Sequence, residues 1–246
     1  MAKLLDCKDF KEYVKGLTIT RKIKWIQLHH TYSPSYKNFN GNNHIELHNG
    51  MKNYHVSERG YVDIAQQFTI FPDGKIMTGR NINTAPAGIK GANSNGICIE
   101  CVGNFDKGAD VMTEEQKNAI VCVVKALLDK CGLNAEDNVT YHSWWSADGQ
   151  ELGDYFKGHS AKTCPGTNFF GGNGLTAYHK NLMPLIENFG KVETMKPVTE
   201  INDIVWELTN AGIITDGQLW LKKCEEDINV YWLCRKMANK LRGTLE

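Results

Sequence analysis

The sequence predicts an α/β domain, a central mixed β-sheet flanked by helices, followed by a small all-helical module. Three observations lead there. Short apolar and β-branched runs alternate with helical segments over roughly the first 190 residues. One of those helices, starting at Thr113, carries start and stop signals at both ends. Near Gly190 the composition turns polar, and beyond it only helical spacing recurs. The 246 residues leave room for one enzyme-sized domain, residues 1–190, and a small second unit, residues 191–246. A 41% hydrophobic content supports a true core and excludes a disordered chain.

Taken in order, Ile23 to Leu28 (IKWIQL) is a buried strand that runs directly into His29-His30-Thr31. Residues 32–43, rich in Ser, Asn, Gly and Tyr, form a loop, and a weak helix follows from Asn43 to Tyr54. Gln66 to Phe71 and Lys75 to Thr78 are strands around the turn Pro72-Asp73-Gly74. Gly96 to Val102 is a further strand. Thr113-Glu114-Glu115-Gln116 has capping-box form, with Gln116 at N3. The helix behind it sets Ala119, Ile120, Val123, Leu127 and Cys131 at helical spacing, and Gly132 ends it. Val139 to His142 is a short strand ending in a histidine. Leu175 to Phe189 is a last helix that Pro184 must kink or split. Lys191 to Pro197 is a polar linker. Two stripes follow: Ile201, Ile204, Val205 and Leu208, ended by Gly212, then Val230, Leu233, Cys234, Met237, Ala238 and Leu241, ended by Gly243.

Lys plus Arg and Asp plus Glu balance at 28 each, which gives no electrostatic case for a nucleic-acid partner. No stretch approaches the roughly 20 apolar residues of a membrane span. The N-terminus lacks the apolar region of a Sec signal, so synthesis and retention in the cytoplasm are expected until the protein is released. The eight cysteines are scattered through apolar segments, which suggests small buried hydrophobes in a reducing compartment rather than a disulfide framework. Cys98-x-x-Cys101 has a redox or zinc spacing, but it lies within a strand and lacks a second pair, so packing is the favoured reading.

Three borderline-to-soft ligands, His29, His142 and Cys164, stand at strand or loop edges. Catalytic zinc takes three such protein ligands and leaves one position for water. Pro165-Gly166 after Cys164 makes a turn able to fix the thiolate. Singly, each is weak: a lone histidine is more often a surface or core residue, and a lone cysteine is usually packing. The ordered set is more specific. Ile26-Gln-Leu-His29-His30-Thr31, Phe71-Pro-Asp-Gly-Lys, Asn95-Gly-Ile-Cys-Ile-Glu100-Cys-Val-Gly103-Asn-Phe, Val139-Thr-Tyr-His142 and Lys162-Thr-Cys164-Pro-Gly occur in that sequence.

This set resembles the type-2 N-acetylmuramoyl-L-alanine amidase family, which also contains phage lysozyme-amidases and peptidoglycan-recognition proteins, over about residues 20–185. The resemblance implies one zinc ion held by His29, His142 and Cys164, with His30 as the neighbouring non-ligand histidine, placed to contact substrate. It implies Glu100 as general base and Lys162 as the catalytic lysine beside the scissile carbonyl. The substrate so implied is bacterial peptidoglycan, and the bond is the amide between N-acetylmuramic acid and L-alanine. Position 66 departs from the family: Gln66 stands where phage and animal members often carry Tyr, leaving a substrate hydrogen-bonding role. His159, in the long segment between His142 and Lys162, competes with His142 as ligand; the strand-end position favours His142.

An acid inside the run Gly-Ile-Cys-Ile-Glu100-Cys-Val is unusual without a task, although a solvated strand residue is the plain alternative. Lys162 has the plain alternative of a surface lysine. Trp144 and Trp145 either line a groove for sugar or peptide or pack their own loop. Trp206, Tyr231 and Trp232 fall off the apolar stripes of the C-terminal helices; they either stack on wall sugars or dock the module. Together these readings describe an endolysin-type enzyme with a wall-targeting module. A non-catalytic recognition module, and a cysteine peptidase using Cys164 with His142 as base, are the alternatives.

Overall fold

In a computed structural model of the chain, residues 2–190 and 201–241 are described, apart from the side chains of Ile228 and Trp232. The expected linker at Lys191 to Pro197 and the stop at Gly243 lie outside the described residues. The residues divide into two compact units, Met1–Phe189 and Gly190–Glu246.

The first unit begins with β1 (Leu4–Leu5), α1 (Cys7–Lys15) and β2 (Trp25–His30). It continues with α2 (His44–Asn53), β3 (Phe68–Ile70), β4 (Ile76–Thr78) and β5 (Gly96–Cys101). Then come α3 (Glu114–Cys131), α4 (Ala135–Asn138), β6 (Val139–Tyr141), α5 (Leu175–Ala177) and α6 (Met183–Asn188). The six strands form one sheet in the order β1-β4-β3-β5-β2-β6. β2 runs parallel to β5 and to β6, and β3 parallel to β5, while β4 is antiparallel to β3 and to β1. The sheet is therefore mixed, as the alternation of elements implies. β1 and α1 were not anticipated, although Asp6, whose side chain accepts from the Asp9 N–H at 2.8 Å, is a legible helix cap.

Alternation along the strands separates two chemistries. On β2, Ile26 and Leu28 share one face; Gln27 and His29 share the other. On β5, Ile97 and Ile99 alternate with Cys98 and Glu100. The ladder places Gln27 opposite Cys98 and His29 opposite Glu100, so the polar residues gather on one side. Ile26, Leu28, Ile97 and Ile99 share a core with Phe10 and Val14 of α1 and Ile120, Val123, Val124 and Leu127 of α3.

Several elements differ from expectation in an informative way. β2 runs two residues further, so both histidines belong to the strand itself. α3 starts at Thr113, whose hydroxyl accepts from the Gln116 N–H at 3.2 Å, and ends on Gly132 at φ 64°. The reciprocal half of the capping box is absent. Gln116 instead turns inward and donates to the carbonyls of Ile70 (2.9 Å) and Val102 (3.0 Å), while accepting from the Tyr36 hydroxyl (2.6 Å). The expected helix from Leu175 is split: a π-turn, Tyr178–Leu182, separates α5 from α6, and Pro184 sits in the first turn of α6, where its missing N–H costs nothing. Cys7 and Cys122 are joined in a disulfide between α1 and α3, which corrects the reading of these two as free thiols. Cys98, Cys101, Cys164, Cys224 and Cys234 are free and buried, as expected.

In the second unit, α7 (Ile201–Asn210), α8 (Gly217–Glu226) and α9 (Ile228–Leu241) enclose Ile204, Val205, Leu208, Ile214, Cys224, Cys234 and Ala238. α8 was not anticipated. α9 is rotated from the expected stripe: Tyr231 packs against the core, and Leu233 is 56% exposed. Among the described residues, no helix is long and apolar enough to cross a membrane.

Candidate metal centre and active site

The sheet places the chemistry at the carboxyl ends of its parallel strands, where open α/β sheets usually hold their ligands. His29 is the fifth residue of the six-residue β2 and lies directly opposite Glu100 on β5. On the other side of β2, Leu28 faces Tyr141, and β6 ends there, so His142 emerges in the adjacent short 3-10 turn. His29 is thereby flanked by Glu100 and His142, residues 71 and 113 positions further along the chain. Cys164 arrives from a loop. Gly166, at φ 119°, lets that loop press against the Phe105 backbone, where a Cβ would come within 2.5 Å. The Ser143 N–H donates to the Cys164 carbonyl at 2.7 Å, and Asp106 accepts from the Thr163 hydroxyl and from the Thr167 N–H. These bonds tie the segment bearing Lys162 and Cys164 to its neighbours.

The distances suit a metal. One ligand atom each from His29, His142 and Cys164 lies within 4.8 Å of the others. Cys164 Sγ stands 3.5 Å from His29 Nδ1. Bonds of about 2.1 Å to nitrogen and 2.3 Å to sulfur at a tetrahedral angle separate two ligands by about 3.6 Å. The histidine rings meet edge to face, with centroids 5.0 Å apart. A second trio, His29 with Cys98 and Glu100, meets the same distance criterion. The first is the better catalytic candidate, because all three of its members line an open cleft and Cys98 does not.

Electrostatics agree. Burial holds His29 well below the usual histidine range, helped by the nearby His142 and Lys162 charges. Burial likewise lowers His142 to about 4, again with Lys162. Both imidazoles are neutral at pH 7 and keep a lone pair for a cation. Burial pushes the Glu100 carboxyl up to about 8, partly countered by Lys162. It also pushes the Cys164 thiol up, reinforced by Glu100. Glu100 Oε1 is 4.0 Å from His29 Nδ1, and its Oε2 is buried with no hydrogen-bond partner. A carboxyl so placed needs a cation, a water or substrate to complete it.

The cleft, about 1070 Å³, is also lined by Lys162, Gln66 and His30. Lys162 is exposed at its edge. Gln66 is fully buried; its amide donates to the Thr69 hydroxyl at 2.9 Å and its Oε1 has no partner. His30 Nδ1 accepts from the Phe105 N–H at 3.1 Å, so one side of its ring tethers a loop. Trp144 and Trp145 do not line the cleft. They are 4% exposed, and their indole N–H groups donate to the Asn173 carbonyl (2.8 Å) and the Thr140 hydroxyl (2.8 Å). Their groove-lining reading is therefore corrected to core packing, with Trp145 edge-on to Trp25. His159 is exposed and away from the cleft, which removes it as a rival ligand. Trp206 is 63% exposed; Tyr231 is partly buried against its own helical core, which corrects its off-stripe reading; the Trp232 side chain lies outside the described residues.

The rest of the cleft lining was not foreseen. It is built from Glu46, Met51 and Tyr54 of α2 and the turn after it, with Arg59, and from Tyr32, held at φ 59°. A tyrosine in the left-handed region is strained, and such strain gathers at functional sites. Only a helix interrupted by polar residues, with no strong period, marked this lining in the sequence.

The sequence profile described as N-acetylmuramoyl-L-alanine amidase matches residues 19–167, which include all the cleft residues named above. Peptidoglycan-recognition protein 1 of Holotrichia diomphalia is 28% identical over 108 residues, covering 43% of this chain and 54% of that protein. The chain thus spans about half the length of that curated relative. Among solved structures, wild-type Drosophila PGRP-LB is similar with a TM-score of 0.50 at 20% identity, covering 68% of this chain and 89% of that one. Bumblebee PGRP-SA is similar with a TM-score of 0.50 at 21% identity, covering 70% and 85%. These two likenesses establish the shared fold.

Proposed function

Because the chain belongs to the N-acetylmuramoyl-L-alanine amidase family, we propose that it is a zinc-dependent hydrolase cutting the amide between N-acetylmuramic acid and L-alanine in bacterial peptidoglycan. The observation that carries this reading is the convergence of His29, His142 and Cys164 at one end of the cleft, with Glu100 in register beside His29.

Two neutral imidazoles and a sulfur are the donor set of a catalytic zinc site with one position left open. Zinc bound there supplies Lewis acidity to the scissile carbonyl and lowers the pKa of a bound water from about 15.7 to about 7. With a cation held beside His29, the ionised form of Glu100 is favoured over the neutral form that burial favours without metal; the carboxylate then takes the proton of the attacking water and passes it to the departing amine of L-alanine. The Lys162 ammonium, at the cleft edge, stabilises the negative charge that develops on the carbonyl oxygen. Gln66 would have to turn toward the cleft before its unpaired Oε1 met a substrate N–H, since the side chain is fully buried.

The test is mass spectrometry of cell walls digested with the protein as purified, after chelation, and after zinc is restored. A new free amine on L-alanine, lost with the chelator and regained with zinc, is the expected result. A new amine deeper in the stem peptide, or cleavage indifferent to the chelator, would overturn it. The cysteine-peptidase alternative is disfavoured because burial and Glu100 push the Cys164 thiol up, opposite to what an activated nucleophile requires. Recognition without cleavage is the second reading, favoured by the name of the curated relative. Wall binding with no new amine would establish it. We further propose an endolysin-type role, with residues 191–246 as a wall-binding module and the enzyme reaching the wall only after release from the cytoplasm.

A further inference from the structure

Gln27 is a polar residue in a fully buried strand, two positions before His29 and on the same face of β2. Its carboxamide lies in a slot made by two glycines. A Cβ on Gly96 would approach its Nε2 to 2.1 Å, and a Cβ on Gly88 would approach its Oε1 to 2.5 Å. The nitrogen end is used: Nε2 donates to the Ala92 carbonyl at 3.0 Å. That bond orients the amide and turns Oε1 toward Gly88.

Two unfinished atoms border Gly88. Gln27 Oε1 is buried with no hydrogen-bond partner, and so is His29 Nε2. Both border the point where a Gly88 Cβ would stand, at 2.5 Å and 3.0 Å. One is an acceptor, and the other is a ring nitrogen able to carry a proton. Cys98 Sγ borders the same point at 2.9 Å, but a thiol is a weaker acceptor than an amide carbonyl. The opposite ring nitrogen, His29 Nδ1, faces Cys164 Sγ at 3.5 Å. In a neutral imidazole the partner of one nitrogen decides whether the other presents a lone pair.

We propose that Gln27 is a positioning residue for His29: its Oε1, unbonded to the ring as placed, closes across the Gly88 gap to accept the Nε2 proton, which leaves Nδ1 bare toward His142 and Cys164. This rests on the reading of that trio as a metal centre. Outer partners of this kind orient the ring and fix its tautomer, and their loss typically lowers metal affinity about 10–100-fold.

The test reads the His29 tautomer by long-range nitrogen–proton NMR in the full chain after chelation, and zinc affinity by competition with a chromogenic chelator. A protonated Nε2 and bare Nδ1 are expected in the unaltered chain. Gln27→Leu should mix the tautomers and weaken zinc binding about 10–100-fold. Gln27→Glu, which keeps an acceptor in the slot, should retain the protonated Nε2. A protonated Nδ1 in the unaltered chain, or a folded Gln27→Leu with unchanged zinc affinity, overturns the proposal. Should Gln27→Leu fail to fold, the tautomer in the unaltered chain decides alone. A chain that binds no zinc at all would sink the metal centre, while the tautomer would still decide the Gln27–His29 contact.

Discussion

On the proposed function, Cys164 and Glu100 do different work in one cleft, and mutation should separate them. Cys164→Ser replaces the soft donor, so bound zinc measured by mass spectrometry and turnover on muropeptides should both be lost; an active zinc-free variant would refute the ligand assignment. Glu100→Gln removes proton transfer but no ligand, so zinc should stay while kcat falls about 10²–10⁴-fold, and normal turnover would exclude the residue from the mechanism. Glu100 also gives the metal-free protein a distinctive pH dependence. Burial raises its folded pKa from 4.5 to about 8, so the folded state holds the proton more tightly and stability falls as pH rises between those values. His142 works oppositely: lowered from 6.5 to about 4, it adds stability as pH climbs to 6.5 and nothing above. Between pH 6.5 and 8 the Glu100 contribution therefore stands apart from that of the histidine. Thermal midpoints of the chelated protein should decline across that window, and Glu100→Gln should flatten the decline.

The elements differ in how much of them their own residues disclose. α3 was legible from Thr113, its apolar spacing and Gly132, because capping is local chemistry. His29, His142, Cys164, Glu100 and Lys162 were singled out from their order along the chain; the sheet register sets Glu100 beside His29, while the turn after β6 and a loop bring His142 and Cys164 to it. Trp144 and Trp145 were not, because exposure of an aromatic depends on partners such as Asn173 and Thr140 that no local pattern announces. The Cys7–Cys122 bond was hidden for the same reason, 115 residues apart. Gln116 looked like a cap and is a strap joining α3 to β3 and the end of β5. Gln116→Leu removes the side-chain donor to the Val102 carbonyl, while the Ile70 carbonyl keeps the Val102 N–H, and should cost about 1–3 kcal/mol, read from denaturant midpoints. Reducing the disulfide should cost about 2–4 kcal/mol, since it pins α1 to α3; equal midpoints with and without reductant would dismiss that contribution.

At the scale of the whole molecule, the two compact units suggest a division of labour that truncation can expose. Removing residues 191–246 should weaken attachment to intact walls more than hydrolysis of small muropeptides, and equal wall affinity in the shortened protein would end the targeting claim. Within the first unit, the pairing of His29 with Glu100 ties reactivity to strand alignment. Sliding the strand Gly96–Cys101 by a single position would turn Glu100 toward the oily side beneath α3 and offer Cys101 or Ile99 in its place. One residue inserted inside that strand should therefore abolish the proposed hydrolysis even where the sheet still assembles, whereas one inserted in the exposed bend near Gly108 should go unnoticed. Turnover would then report in-frame threading of the sheet more sensitively than any measure of secondary-structure content.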